Sequence, residues 1–455
     1  MALDVISITQ DQADKLRLLD EGQFADVKAR EKKPGDLTQD ISAFANADGG
    51  DLYVGIVDKT RTWEGFENVE AANGHVQAFE EFFPLGSEFR YEFLACEGLL
   101  GLVLHIQIDK TQSVVKASNG IPYLRRGAQS LPMNTPEKVR RLELAKGITS
   151  FETESVNIPK ETVTDSDVVQ RFIKEVVPSS DAERWLKKQN LIRDNRPSVA
   201  GTLMFADEPQ AALPKNCGIK VYRYKTRERE GVREVLAETP LTVEGDLYTQ
   251  IFEAVRLTKE ITESIPKLTD DSMEKIQYPP ETLHEIVANA VIHRDYSVRD
   301  DVHIRIFDDR VEVQSPGRLP ANITPKNILE ERFARNGAIV RILNKFPNPP
   351  NQDVGEGLNT AFNMMHTLGL KPPVITELDN AVLVIIRHEP LASPAQIILE
   401  YLEKNDQIKN AKARELTRIP TDFRIKGIFN KMEKAGQIER VPGTVTSQTA
   451  WRKKR

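Results

Sequence analysis

Cysteine is almost absent from this chain. Cys96 and Cys217 are its two cysteines, far apart and in no CxxC or Cys/His cluster. That excludes a disulfide-stapled scaffold and a zinc site built on thiolates, and it suits a reducing cytoplasm. Long apolar runs are missing as well. No stretch approaches the roughly 18 apolar residues that a transmembrane helix needs. The opening residues, MALDVISITQDQADKL, have no basic stretch followed by an apolar one, so no secretory leader and no membrane partner are expected. Positive charge is not in excess either, with 62 Lys and Arg against 68 Asp and Glu, a net of −6. Taken whole, the composition gives no reason to expect nucleic acid.

The average conceals an asymmetry. From Glu403 to Arg455 there are 14 Lys and Arg against 6 Asp and Glu, a net of +8, which leaves −14 for the remainder. A basic tail on an acidic body raises the question of a polyanion partner; a solvated helix pair is the bland alternative. With 455 residues, 40% of them hydrophobic and 29% charged, the chain can build about three domains, each with its own core.

Alternating and helical periodicities mark an α/β multidomain protein. Leu37–Ala47 reads as an amphipathic helix. DLYVGIVD (51–58) and LLGLVLHIQI (99–108) read as strands, IPYLRRGAQS (121–130) as a strand or turn, and PEKVRRLELAKG (136–147) as a closing helix. Residues 150–198 look polar and helical, broken by Pro178 and Pro197. VAGTLMFADEP predicts a strand over about 199–206, and CGIKVYRY another over 217–224. Two helices, 244–261 and 279–296, and a strand pair, VHIRIFDD and RVEVQSPG, follow, which suggests an α/β sandwich with helices on one face. Beyond about 391 come three helices and a hairpin: SPAQIILEYLEKN with Ser393 as cap, AKARELTRI, TDFRIKGIFNKMEKAG stopped by Gly436, then QIERV and TVTSQTAWRK around Pro442-Gly443. That is the winged-helix order, in which the third helix enters the DNA major groove. The expected divisions are 1–148, a helical connector 149–198, 199–390 and 391–455.

Residues 284–297, HEIVANAVIHRDYS, contain the His-Arg-Asp of a kinase catalytic loop. HRD is followed here by YSVRDD rather than by the kinase pattern, and no GxGxxG loop, paired lysine or DFG accompanies it. Glu285 and Asn289 lie one turn apart on one helix face. A carboxylate can polarise water, and an Asn carbonyl can coordinate magnesium. A solvated helix face is the structural alternative. Downstream, Ser315-Pro316-Gly317 ends a strand, and DVGEGLNTAFNMMHTLG places Gly355 and Gly357 at a helix mouth, where backbone N–H groups can meet phosphate.

This order resembles the GHKL ATPases, the group of DNA gyrase B, the histidine kinases and MutL. More closely, NAVIHRDY (289–296), DDRVEVQSPGRL (308–319), ARNGAIV (334–340) and VGEGL (354–358) resemble the divergent GHKL-type domain of a bacterial and archaeal family of transcriptional regulators. The resemblance implies an ATP and magnesium site in which Glu285 is the general base, Asn289 holds magnesium and Gly355 and Gly357 bind phosphate. His293, one further turn along, either faces the nucleotide or ends the helix. Ser315 stands where GHKL enzymes carry the aspartate that accepts from adenine, with Gly317 in the same turn. A serine lacks that charge, so binding without fast hydrolysis is one outcome and weak ATPase activity the other. GHKL domains often dimerise, which implies a homo-oligomer.

Near the start, ISAFANADGGDLYVGIVD (41–58), FADVKAR (24–30) and YLRRGAQS (123–130) resemble the AlbA-like domain shared with Schlafen proteins. Lys28, Arg125 and Arg126 could hold phosphates, which fix position more than sequence. Some Schlafen proteins are metal-dependent nucleases. Glu21, Asp26 and Asp58 would be the carboxylates of such a centre, with the alternative that Asp26 pairs with a neighbouring base and Asp58 ends its strand. In the tail, Thr421, Arg424, Lys426 and Lys431 on the third helix, and Arg452–Arg455 at the wing end, are the candidate nucleic-acid contacts. The resemblances imply an ATP-binding, DNA-binding regulator, with RNA as the other polymer and a nucleotide-controlled nuclease in phage defence as the other activity.

Overall fold

The computed structural model describes residues 5–82, 89–213, 217–268, 273–275, 277–350, 357–388, 394–417, 419, 421–442 and 449–454. The protein is an α/β multidomain chain. Ser393 and Gly355 lie outside the described residues, as do the tip of the terminal hairpin and Arg455.

Near the N-terminus a five-stranded mixed sheet runs in the order Val5–Ile8, Phe89–Cys96, Val103–Ile108, Gly50–Val54, Ala25–Lys28. The outer pairs are parallel and the central ones antiparallel. Helix Pro34–Asn46 covers one face, placing Leu37, Ile41, Phe44 and Ala45 in a core with Leu52, Phe93, Leu104 and Ile106. Gly49-Gly50 makes the turn from helix to strand. Gly49 has φ +74°, and a Cβ there would stand 2.6 Å from the Ile108 carbonyl oxygen. A Cβ on Gly50 would stand 2.6 Å from the Phe24 oxygen, so neither position admits a side chain.

Asn46 ends the same helix and works as a pin. Its Nδ2 donates to the carbonyls of Val115 (2.7 Å) and Tyr123 (2.9 Å), and its Oδ1 accepts from Val115 N (2.9 Å). Buried and short, it holds two remote segments against the helix.

The largest core runs from Val156 to Ile386. Its six-stranded sheet has the order Leu241–Val243, Ile219–Arg223, Val302–Ile306, Arg310–Pro316, Ala381–Arg387, Val374–Glu377. Helices Leu247–Glu263 and Pro280–Ile292 pack on it, burying Ile251, Ile286, Val287 and Val291 with Ile304, Val311 and Val313. Helix Gly357–Thr367 lies beside Pro280–Ile292, joined by Thr282 Oγ1 donating to Ala361 O at 3.1 Å. The segment expected to be a polar connector contributes Val169, Phe172, Trp185 and Leu186 to this same core.

One element differs in kind from expectation. Val199–Phe205 is a buried helix, not a strand. Ser198 caps it, its hydroxyl accepting from Gly201 N at 3.1 Å, and a short run buried on every side carries no period to tell the two apart.

At the C-terminus, helices Pro394–Lys404, Asn410–Thr417 and Asp422–Lys434 enclose Ile398, Leu402, Ile425, Phe429 and Met432. A three-stranded sheet of Ile408–Lys409, Ala450–Lys453 and Ile438–Arg440 closes this core with Trp451, the first strand falling between the first two helices.

Replacing Asn46 by Ala strands the Val115 and Tyr123 backbone groups. We expect a loss of about 3 kcal/mol in urea unfolding, and a loss near zero would contradict the pinning role.

Candidate functional site

In the N-terminal domain the sequence-selected residues converge on Asp26. This carboxylate is 1% exposed, and Arg125 donates to its Oδ2 at 2.8 Å. Lys28 pairs with its other oxygen and also lies 3.6 Å from Glu21. Arg125 is itself buried, donates to Gly22 O at 3.0 Å and rests over the Phe44 ring. Ser130 Oγ, beside Arg125, donates to the buried Asp40 at 2.8 Å. Arg125 and Lys28 therefore serve Asp26 first. Arg126 is the one of the three basic residues at the surface. Asp58 is half-exposed and lies 3.9 Å from Arg61. Among the described residues no group of three His, Cys, Asp or Glu side chains is arranged to hold a metal.

Burial, then the adjacent Asp26, push the Glu21 carboxyl up to about 7. Burial also raises Asp40. Near neutral pH about half of Glu21 therefore still holds a proton that an ordinary carboxyl would have lost.

In the middle domain Glu285 and Asn289 share one face of helix Pro280–Ile292, and Asn289 Nδ2 donates to Glu285 Oε1 at 2.8 Å. That leaves the Asn289 carbonyl oxygen for a cation. Burial raises the Glu285 carboxyl, which suits a group that takes up a proton. Gly357 starts its helix directly on this carboxylate: a Cβ there would lie 1.9 Å from Glu285 Oε1. The helix mouth assigned to phosphate is therefore in contact with Glu285. His293 ends the Pro280–Ile292 helix, its backbone N–H donating to Asn289 O at 3.0 Å, as a capping residue does. Ser315 turns to the same helix and donates from Oγ to Ala290 O at 2.7 Å. Gly317, at φ +97°, packs so closely on the loop after that helix that a Cβ would stand 2.4 Å from Asp295 Cβ.

Several decisive residues escaped the sequence reading. Asn336 Nδ2 donates to Ile292 O and Arg294 O, both at 2.8 Å, and so caps the helix. Arg335 donates to Asp295 Oδ2 at 3.3 Å and crosses to the first domain at Leu144 O (2.7 Å) and Ala145 O (3.1 Å). Arg318 follows Gly317 directly. It donates to Glu377 Oε1 at 2.8 Å and pairs with Asp48, inside the FANADGG run of the first domain. Lys110 donates to Leu319 O (2.9 Å) and Ile323 O (3.0 Å). Lys146 donates to Thr111 O (2.5 Å) and Ala45 O (3.2 Å). Burial pushes Lys110 down, and burial with the nearby Lys110 and Arg318 brings Lys146 to about 7. Burial raises Asp48, but Arg318 more than offsets it and holds the carboxyl below its usual range. Asp48 also accepts from Gln23 Nε2 at 2.6 Å, and Gln23 Oε1 accepts from Gly127 N at 2.8 Å, beside Arg125 and Arg126. A continuous polar path thus joins the Gly317 turn to the Asp26 cluster.

On the C-terminal helix Asp422–Lys434, Thr421 is the N-cap residue, Lys426 pairs with Asp422 at 2.5 Å, Arg424 is half-buried and Lys431 is exposed. Arg452 pairs with Glu439 at 2.7 Å.

Two family matches agree with this architecture. Residues 21–134 match the family described as Schlafen, AlbA_2. Residues 300–386 match the HATPase_c_4 family, whose description reads "Putative ATP-dependent DNA helicase recG C-terminal". The helix carrying Glu285 and Asn289 precedes the second match. A comparison with curated proteins gives no match. Among solved structures, the DIP2311 protein from Corynebacterium diphtheriae is 17% identical, covers 97% of this chain and 96% of its own, and has a TM-score of 0.42. The N-terminal domain of a RecG-related protein from Nitrosomonas europaea is 19% identical, covers 26% of this chain and 86% of its own, with a TM-score of 0.19. Likenesses this distant do not bear on function. No helix among the described residues is long and apolar enough to cross a membrane.

The raised Glu21 pKa has a signed consequence. Between its ordinary value of 4.5 and about 7, the folded protein holds a proton that the unfolded chain has released. Stability contributed by this group is therefore full below 4.5 and falls as pH rises toward 7. Glu21→Gln should flatten that fall in melting temperature between pH 5 and 7; an unchanged slope would contradict the assignment.

Proposed function

We propose that this protein binds nucleic acid, double-stranded DNA first, and that ATP bound in the middle domain changes that binding. A transcriptional regulator is the role that fits best. The observation that carries the reading is the half-buried Asp48–Arg318 ion pair. It links the turn next to the nucleotide-side helix to the signature loop of the AlbA-like domain.

The residues present fit a nucleotide with magnesium. Asn289 offers a neutral oxygen for the cation, and Glu285 is a half-buried carboxylate with a raised pKa within reach of it. Magnesium with the nucleotide would supply charge neutralisation at the phosphates. The chain's own part is to move Gly357 off Glu285, because the helix start cannot meet a phosphate while it lies on that carboxylate. Helix Pro280–Ile292 is bonded to the Ser315–Gly317 turn through Ala290 O. A shift of the helix therefore reaches Arg318, then Asp48 and Gln23. A ligand moves such an equilibrium only by binding the two arrangements unequally.

The C-terminal domain has the helix and strand order of a winged helix and carries the net +8 of the tail. It supports duplex contact, while Arg126 and its turn support contact at the AlbA-like domain. The nuclease reading gains less support, since Asp26 is already engaged by Lys28 and Arg125.

The test is fluorescence anisotropy of labelled duplex DNA with and without ATP and magnesium. The wild type should change affinity at least about fivefold, the low end of measured couplings. Asn289→Ala should retain nucleotide-free binding and lose the response. Equal affinity with and without nucleotide would overturn the proposal.

A further inference from the structure

The six-stranded sheet of the middle domain has two unequal faces. Helices Leu247–Glu263 and Pro280–Ile292 pack on one, where Val221, Ile304, Val311 and Val313 are buried. Alternation turns the intervening residues to the other face. Two rows cross it in register. Lys220, His303 and Gln314 make one row, and Tyr222, Arg305 and Glu312 the other. All six are half-exposed. Leu383 and Ile385 extend the two rows onto the next strand, also half-exposed.

Rings and cations alternate on this face, and bonds between strands hold them there. The Tyr222 ring lies 5.8 Å from His303 and 6.1 Å from Tyr224, the two tyrosine planes only 14° apart. The Tyr222 hydroxyl is 3.2 Å from His303 Nδ1, and Arg305 Nη1 donates to Gln314 Oε1 at 2.8 Å. Lys220 Nζ donates to Thr242 Oγ1 at 2.6 Å, again on a neighbouring strand. The carboxylates nearby are engaged. Glu312 accepts from Arg310 Nε at 2.6 Å, and Asp300 Oδ1 lies 3.0 Å from His303 Nε2. Lys220 and Arg305 bond to neutral partners, so their charge is kept.

We infer that this open sheet face binds single-stranded nucleic acid, with bases stacking on Tyr222 and His303 and phosphates meeting Lys220 and Arg305. Unstacked bases offer flat faces to aromatic rings, and the linking phosphates ask for cations at the same spacing. A duplex hides those base faces, so it does not fit a flat sheet of rings. Charge favours the same occupant, since Lys220 and Arg305 stand on a body that carries −14 outside its tail. A second copy laid on the face would bring these cations toward their own kind. The inference goes beyond the duplex reading above and does not need it.

The experiment uses the full chain with labelled oligo(dT), oligo(U) and a mixed-sequence duplex, read by anisotropy. The wild type should bind at least one single strand. Tyr222→Leu and Arg305→Gln should each weaken that binding roughly tenfold and leave duplex affinity as it was. Iodouracil-bearing strands irradiated on the wild type should cross-link to Tyr222 or His303. A preference for oligo(U) makes the ligand RNA and one for oligo(dT) makes it DNA, and either supports the inference. Where a variant melts lower and loses every ligand, the cross-link decides, and one mapped outside strands 219–223 and 302–306 overturns it. Single-strand affinity unchanged in both variants overturns it too. So does a variant whose self-association changes at constant single-strand affinity, which assigns the face to a second copy. A wild type that binds duplex and neither single strand overturns this inference alone. Duplex affinity indifferent to ATP, beside a Tyr222-dependent single-strand site, overturns the proposed function alone.

Discussion

Arg318 is held half-buried between two carboxylates that belong to different parts of the chain, Asp48 before the Gly49-Gly50 turn and Glu377 on the edge of the central sheet. A guanidinium withdrawn this far from water depends on its partners being in place, because a remaining charge left without one is poorly solvated. Much else is arranged so that they are. Gly49 and Gly50 allow the chain to turn against Ile108 and Phe24, which sets Asp48. Gly317 allows the strand end to press on Asp295, which sets Arg318. Lys110, Lys146 and Arg335 spend their protons on backbone carbonyls across the same interface. The two domains are thus fastened by groups with little geometric freedom. A change at one domain's turn must either be transmitted or break the Asp48–Arg318 pair.

That constraint gives meaning to the contact between Gly357 and Glu285. The helix start lies against the carboxylate so closely that Gly357 has no room for a Cβ, and Asn289 bonds the same carboxylate. Ser315 ties the same helix to the turn that ends in Arg318. The Glu285–Asn289 groups and the interface groups therefore form one mechanical unit. The basic C-terminal domain stands apart from it in its own core. Its positive face is carried on an otherwise acidic chain, which concentrates attraction for a polyanion at one end.

Much of this was legible in the sequence wherever a local rule applies. FANADGG announces itself because only glycine fits the turn, and the Pro280–Ile292 helix because its apolar period is regular and proline opens it. Glu285 and Asn289 are paired as their spacing requires. The tail's helices and strands follow from capping and alternation, and its charge from counting. Local rules fail where partners are remote. Asp48 and Arg318 are 270 positions apart, and nothing near either one indicates the other. Arg125 reads as a surface phosphate ligand because arginine at a strand end often is one, yet here it neutralises Asp26, 99 positions away. Asn46 looks like an ordinary helix-end residue until Val115 and Tyr123 are seen to depend on it. The helix at Val199–Phe205 was missed because a stretch buried on every side has no period.

In the proposed function, changes at the Glu285 helix reach the AlbA-like domain through Arg318. Amide hydrogen exchange of the full chain, followed with and without ATP and magnesium, addresses it directly. Altered protection in residues 44–51 and around Gln23, in addition to the Glu285 helix, is the predicted result, and Arg318→Met should abolish the distant part alone. Changes confined to the Glu285 helix and the Gly357 helix, with residues 44–51 untouched in the wild type, would contradict it.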